Sequence, residues 1–363
     1  MKKKVSKPSI AENSVSFKDL IMQDEKLLPH LKLSSEKMAQ LLSLADPERA
    51  VDSPIPDTIV PTPAQRALID ELIVNKWAEG EGGEGTPVLN TSAQDALSAL
   101  LAPKTRVQLT LGSIKELIMT DLYSSSGFFD GALVAYTFHE DGDLHVISPG
   151  QSPSDVSDAL LSQLMNGPYL EGLNFELQLD EASLLVYLAV LDLIYARQLE
   201  AKLQADNYAV LNFSAEDVWQ LFARLRIGED LFWSSVLIPV LFPYLMQPFT
   251  EKNFRKNFAA LVEEGLLSPM EKDHYQPTDF TEGLAGGLLP MISFASCVVT
   301  NTEGEGMHMG FVIGLNVNLV VQAFPVDGKN VFVLMGMDGV RLSRLLFEIG
   351  LPEEQVEKES ARD

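Results

Sequence analysis

Residues 311 to 349, FVIGLNVNLVVQAFPVDGKNVFVLMGMDGVRLSRLLFEI, hold two apolar runs joined by Asp327-Gly328, with an amphipathic stretch behind them. Strand-like runs on either side of an Asp-Gly pair specify a β-hairpin, because that pair tolerates the positive φ angles of a tight turn. The residues that follow, with Leu345, Leu346 and Ile349, carry helical spacing. A fainter copy lies at residues 131 to 164, GALVAYTFHEDGDLHVISPGQSPSDVSDALLSQL. A chain that contains this unit twice is confined to a small set of architectures.

Setting Phe138 against Phe324 puts Leu133 on Leu319, Val134 on Val320 and Asp141-Gly142 on Asp327-Gly328. One insertion then brings Val146-Ile147 onto Val333-Leu334. The helices behind the hairpins match as Leu160, Leu161 and Leu164 against Leu345, Leu346 and Ile349. Upstream, Leu100-Leu101-Ala102-Pro103 echoes Leu266-Leu267-Ser268-Pro269. The expected fold is therefore α+β: a duplicated pseudo-twofold unit with an antiparallel or mixed sheet flanked by helices. A lone hairpin leaves its edges open, so the two hairpins are expected to join one sheet.

Between and around the copies the pattern divides the chain. Residues 1–60 read as an irregular or partly helical extension, with short helices at Phe17–Leu28 and Ser35–Ala45. Residues 61–175 form the first repeat, with a helix opening at Thr62-Pro63, a helix at Thr91–Leu101, a strand at 105–111 and a helix from Ser113 to Leu122. Asp141-Gly142 predicts a type I′ turn, and Ser154 the cap of the next helix. Residues 176–249 form a helical bridge, with a long helix at 181–204 and another capped by Ser214. Residues 250–352 form the second repeat, and 353–363 a charged tail. The second repeat opens with a winged-helix-like segment: a helix capped by Thr250, a stop at Gly265, then Gly-Leu-Leu pairing back on DHYQP.

Charge narrows the partners. The 27 Lys and Arg face 51 Asp and Glu, a net charge of −24. Such a surface repels phosphate backbones, and Lys252, Arg255 and Lys256 on the winged-helix-like helix are offset by Glu251, Glu263 and Glu264. Nucleic acid is an unfavourable partner; a protein with a helical or basic segment suits the surface. The single cysteine, Cys297, leaves no internal disulfide and no multi-cysteine metal site. The most apolar stretch, 231 to 246, is interrupted by Pro239 and Pro243, and MKKKVSKPSIAENS lacks a signal peptide's apolar core. The expectation is a cytoplasmic protein without a membrane span.

Catalytic and cofactor motifs fail on context. Gly80 to Gly85 spells the dinucleotide pattern but follows a helix, precedes Pro87 and carries Glu81 and Glu84, which repel phosphate. His139, Asp141, Asp143 and His145 alternate around the first hairpin turn like metal ligands, yet the two histidines need not converge there. No nucleophile elbow, metalloprotease helix or phosphate loop is present, so no cofactor is expected and no catalytic residue assigned. The candidate interaction surface is Met307, Met309, Gly310, Met335 and Met337: methionine adapts to varied partners, and glycine admits close approach.

A helix ending in Leu-Leu-x-Pro, the strand KTRVQLTL, the hairpin ALVAYTFHEDGDLHVISPG and a Val-Ser-Asp-Ala-Leu-Leu helix together resemble the EspG-type chaperones of ESX (type VII) secretion. The resemblance covers residues 97 to 164 and, more loosely, 250 to 350. It implies a quasi-twofold fold with a central sheet between helical bundles, a cytosolic location, no catalysis, and binding to the helical tip of secreted PE–PPE-type pairs. It carries no functional residue onto this chain. Two other readings stand beside it: a winged-helix transcription-regulator relative, and an enzyme of unassigned class.

Overall fold

The computed structural model describes residues 28–45, 48–79, 88–113, 116–165, 173–204, 211–228, 230–242, 245, 250–302, 306–326 and 329–350. The helix expected at Phe17–Leu28 (all but Leu28), the Gly80–Gly85 loop, the Asp327-Gly328 turn and the tail at 353–363 lie outside these residues.

One sheet of ten strands organises the chain. Its first half comprises β1 (Leu31–Leu33), β4 (Thr105–Ser113), β5 (Leu117–Ser124), β6 (Leu133–His139) and β7 (Leu144–Gln151). Its second half comprises β8 (Phe175–Asp180), β12 (Ser293–Asn301), β13 (Gly306–Ile313), β14 (Asn318–Val326) and β15 (Lys329–Met337). Their order is β1-β7-β6-β5-β4-β12-β13-β14-β15-β8. The halves meet where β4 and β12 pair antiparallel, from Thr105↔Asn301 to Ser113↔Ser293. Reading outward from that seam, each half repeats the same succession, so a pseudo-twofold axis runs between β4 and β12.

One face of the sheet is shared. Val107, Leu109 and Leu111 of β4 and Ala295 and Cys297 of β12 are buried there beneath α4 (Pro153–Leu164) and α10 (Gly339–Ile349). The two helices cross the axis in contact, and the buried Ser157 hydroxyl donates to the Leu346 carbonyl at 2.7 Å. Burial pushes the Cys297 thiol up to about 12, which leaves it an inert core residue.

The opposite face is divided. Over the first half lie α1 (Ser35–Leu42), α2 (Arg66–Val74), the short strands β2 (Ala78–Glu79) and β3 (Val88–Leu89), and α3 (Thr91–Leu101). Over the second half lies a larger layer: α5 (Glu181–Leu203), β9 (Phe213–Ser214), α6 (Ala215–Gly228), α7 (Ser234–Leu241), α8 (Glu251–Glu263), β10 (Leu267–Pro269), β11 (His274–Pro277) and α9 (Asp279–Leu288). Helix α5 is long and apolar enough to cross a membrane, but Ser183 to Ile194 are all buried inside this layer. An apolar surface on every side is what a helix surrounded by neighbours requires.

The duplication reaches beyond the hairpins. Helices α2 and α8 end alike, with Lys76 (φ 60°) and Gly265 (φ 70°) in the left-handed region. The next amides close the same bond, Trp77 N to Leu72 O at 2.7 Å and Leu266 N to Leu261 O at 2.9 Å. The counterpart of Leu100-Leu101-Ala102-Pro103 is therefore not Leu266-Leu267-Ser268-Pro269, which lies after α8 and enters β10. It is Leu288-Leu289-Pro290, which closes α9 ahead of β12.

Two of the sequence matches shift by one residue. The caps Ser152 and Asp338 correspond, so Leu160 matches Leu346, both fully buried, rather than Leu345. Leu133 faces the shared side and Leu319 the other, so Leu319 corresponds to Val134. A one-residue slip in a strand exchanges its faces, and two apolar neighbours hide the slip in the sequence. The insertion that set Val146-Ile147 on Val333-Leu334 preserves the alternation, with Ile147 and Leu334 both turned to the helical layers.

Local corrections have local causes. Residues 117–124 form β5, not the end of a helix, because β4 pairs with them along their length. The first hairpin closes through a 3₁₀ turn at Glu140–Gly142 with Asp143 left-handed (φ 45°), not through a two-residue type I′ turn. Helix α4 is capped by Ser152, not Ser154: Pro153 takes its first position and Asp155 completes a capping box. Helix α2 begins at Arg66, three residues after Pro63, and Gln65 stands at its cap.

Candidate functional site

Within the sheet the two halves differ between β5 and β6. In the second half, β13 and β14 pair from His308↔Ala323 to Ile313↔Asn318. In the first, β5 and β6 pair only at Leu122↔Ala135 and Tyr123↔Val134. A register shift between Leu133 and Ala135 bends β6 where the strands part. Beyond that point lies a cleft of about 620 Å³. Met119, Thr120 and Asp121 of β5 form one wall and Tyr136, Thr137 and Phe138 of β6 the other. Arg106 and Gln108 of β4 line it from beyond β5, and Val51 to Pro54 form the rim.

The hydrogen-bond phase of β5 can be read from its hairpin. The Ser113 N–H donates to the Glu116 carbonyl at 2.9 Å. Bonded and non-bonded pairs alternate along an antiparallel ladder, so the backbone groups of Leu117, Met119 and Asp121 point away from β4, toward the cleft. Leu117, Ile118 and Met119 are 42%, 41% and 52% exposed, and Val51 on the rim is fully exposed. Isolated exposed apolar residues are ordinary, but a continuous run on an open strand edge is the feature that proteins usually block with charge or proline.

Three of the cleft's polar groups hold one another. Arg106 holds Asp121 with two nitrogens, Nη2–Oδ2 at 2.8 Å and Nε–Oδ1 at 3.3 Å, and Tyr123 reaches Oδ2 at 3.5 Å. Burial and the Asp121 charge push the Tyr123 hydroxyl up to about 12. These groups line the cleft as a fixed, neutral pair rather than as a general acid or base.

Beside it, the metal-like grouping of the first hairpin is pulled apart. His145 is buried, with Nδ1 at 2.8 Å from the Tyr136 hydroxyl and Nε2 at 3.0 Å from Ser35 Oγ. Ser35 in turn donates its hydroxyl and its N–H to Asp143. Phe138 stacks on the imidazole at 4.4 Å. This chain ties α1 to the β6–β7 hairpin, while His139 and Asp141 stay at the exposed turn. Among the described residues no three or more His, Cys, Asp or Glu gather as a metal site.

Burial pushes the His145 pKa below its ordinary 6.5, with Asp143 pulling the other way. The unfolded chain therefore takes up this proton first as pH falls. The stability contributed by neutral His145 is full above about pH 6.5 and is lost as pH drops toward the folded value. Thermal melts between about pH 7.5 and pH 5 are expected to show a falling midpoint, and His145→Gln to flatten that slope.

The sequence-derived surface residues sit elsewhere. Met309 and Met337 are buried under α4 and α10, and Met307 and Met335 are half-buried against the same cluster. Gly310 lies on the opposite face, under the ring of Phe242. The winged-helix-like segment has a three-stranded sheet, β10-β11-β9, behind α8. Arg255 on α8 is held by Glu251 at 2.8 Å and by Glu216, which cancels its charge. A second cavity of about 360 Å³, lined by Ser92, Asp95, Ser124, Ser126 and Asp130, opens at the other end of β5. The β5 cleft was missed because residues 113–122 carry helical apolar spacing. The signal available was the second repeat, whose matching residues 306–313 read as a strand.

These features define an α+β protein built by duplication, with one strand that is partly unpaired, among the described residues, beside a cleft of mixed polar and apolar lining. No family model and no curated protein matches the chain. Among solved structures it is similar to the Mycobacterium tuberculosis type VII secretion system chaperone EspG5, in complex with the PE25-PPE41 dimer. The likeness covers 90% of this chain and 98% of that one, with 9% identity and a TM-score of 0.40. That is a distant structural relationship, and it assigns no residue of this chain a role.

Proposed function

We propose that this protein binds another protein through the β5 cleft and acts as a chaperone or adaptor rather than as an enzyme. The observation that carries the reading is the asymmetry of the duplication. The same strand pair is closed in one half and open in the other, and the open one exposes Leu117, Ile118 and Met119. An apolar surface kept at an open sheet edge invites aggregation unless a partner covers it. Met307 and Met335, half-buried against the shared-face core, offer no such edge.

The test uses the full-length chain carrying a photo-crosslinking residue at Met119, with Val340, an exposed residue on α10, as control. Crosslinked adducts of defined mass from native extract are expected at Met119 and not at Val340. Leu117→Lys with Met119→Lys is expected to weaken capture of that same partner at least about tenfold. Surface changes of this kind move stability by only about 0.5 kcal/mol, so the melting midpoint should hold. Equal crosslinking at both positions, or undiminished capture by the double variant, would overturn the reading.

A further inference from the structure

We infer that the occupant of the cleft is an extended segment, apolar at alternate positions and flanked by basic residues, which adds to β5 as a strand. This rests on the protein-binding reading above and names the form of the partner. Among the described residues, the N–H and C=O of Leu117, Met119 and Asp121 have no ladder partner, and they are turned away from β4 as the edge of a strand ladder. Buried backbone groups need partners. A helix bonds its own amides and would cover these groups without satisfying them, whereas an extended chain pairs with them residue by residue.

The cleft also selects against a second copy of this chain. Its far wall is β6, still paired to β7, so the space beside β5 is bounded by the same sheet rather than open to another whole sheet. A single segment enters where two edges cannot. Lying antiparallel to β5 gives the slightly stronger of the two ladders. Alternate side chains of the segment then meet Met119 and Phe138 on the side of the rim residues Val51 and Pro54.

Charge sets the flanks. Glu116 precedes the open edge, Glu140 and Asp141 follow β6, and Asp52 stands on the rim. The cation at the cleft, Arg106, is already held by Asp121. With a net charge of −24 over the whole chain, lysine or arginine at the ends of the segment is drawn in and acidic ends are repelled.

The probe is a labelled synthetic peptide of alternating valine and threonine with lysine at each end, titrated into the full-length protein by fluorescence anisotropy. Binding is expected to saturate, to weaken at least about tenfold when glutamate replaces the terminal lysines, and to vanish when alternate backbone amides are N-methylated. Met119→Pro removes one outward N–H while sparing the β4 ladder, and is expected to abolish binding with the fold retained. Its circular dichroism spectrum and melting midpoint verify the fold. Met119→Thr, which keeps the amide, is expected to bind. Equal binding of the N-methylated peptide, or full binding by Met119→Pro, would overturn strand addition. If Met119→Pro still captures the native partner while the double lysine variant does not, the cleft reading stands and the strand reading falls. If both variants capture it, both readings fall.

Discussion

Replacing Asp192 by alanine is expected to cost about 3–5 kcal/mol of stability, since each buried donor left without an acceptor costs about 1–3 kcal/mol. Asp192 sits in the middle of α5 and is fully buried. Its Oδ1 accepts from the Ser234 N–H at 2.9 Å and the Ser234 hydroxyl at 2.7 Å, and Oδ2 accepts from the Ser235 N–H at 2.9 Å. These amides open α7, whose own cap residue, Trp233, has no side chain able to accept. The carboxylate thus caps a helix from a neighbouring helix, at the end where the helix dipole favours negative charge. Burial pushes its pKa up and the serine donors oppose that shift. Alanine would strand two buried amides with no acceptor. Asparagine would keep one acceptor and turn an amide group toward the Ser235 N–H, so Asp192→Asn should lose less, about 1–3 kcal/mol. Denaturant midpoints of the three proteins test the order. An alanine variant as stable as the asparagine one would mean that water enters and replaces the carboxylate.

The legible part of this fold was the part that local pattern and tertiary structure specify together. Asp-Gly pairs between strand-like runs marked both hairpins, although the first closes by a longer turn than its sequence suggests. The capping threonine of α8 and Gly265 after it placed that helix to within a residue, because cap chemistry is local. Long-range matches were less secure. Leu133 and Val134 are both apolar, so the pattern could not say which faces α4, and only the ladder decides. Ile114, Leu117, Ile118 and Leu122 carry helical spacing, but pairing with β4 makes residues 117–124 a strand. That conflict falls on the strand left half unpaired at the cleft. Such conflicts between local preference and global fold are common at sites that the core alone does not specify. Arg106 and Asp121 could not be linked from sequence, because the residues between them say nothing of register.

Truncating Phe242 to alanine is the second change expected to cost about 3–5 kcal/mol, as for a fully buried phenylalanine whose site cannot collapse. Phe242 follows α7 and lies between the helical layer and the sheet. Its ring meets Phe332 of β15 edge-on, at 5.8 Å and 85°. It also covers Gly310 of β13, where an added Cβ would stand 2.7 Å from Cε2 and 3.0 Å from Cζ. Glycine at 310 is thus required by an aromatic ring rather than by a positive φ or by a partner's backbone. Gly310→Ala is accordingly expected to cost about 1–3 kcal/mol by overpacking. The two positions share one contact, so their effects should not add. Phe242→Leu alone leaves a gap over Gly310, and the alanine methyl fills part of it. The double variant Gly310→Ala with Phe242→Leu should therefore be more stable than the sum of the single losses by about 0.5–3 kcal/mol. Equilibrium unfolding of the four proteins measures that coupling. Strict additivity would show that the ring moves freely over β13, and that the second-half sheet is not fixed by the helix that Asp192 caps.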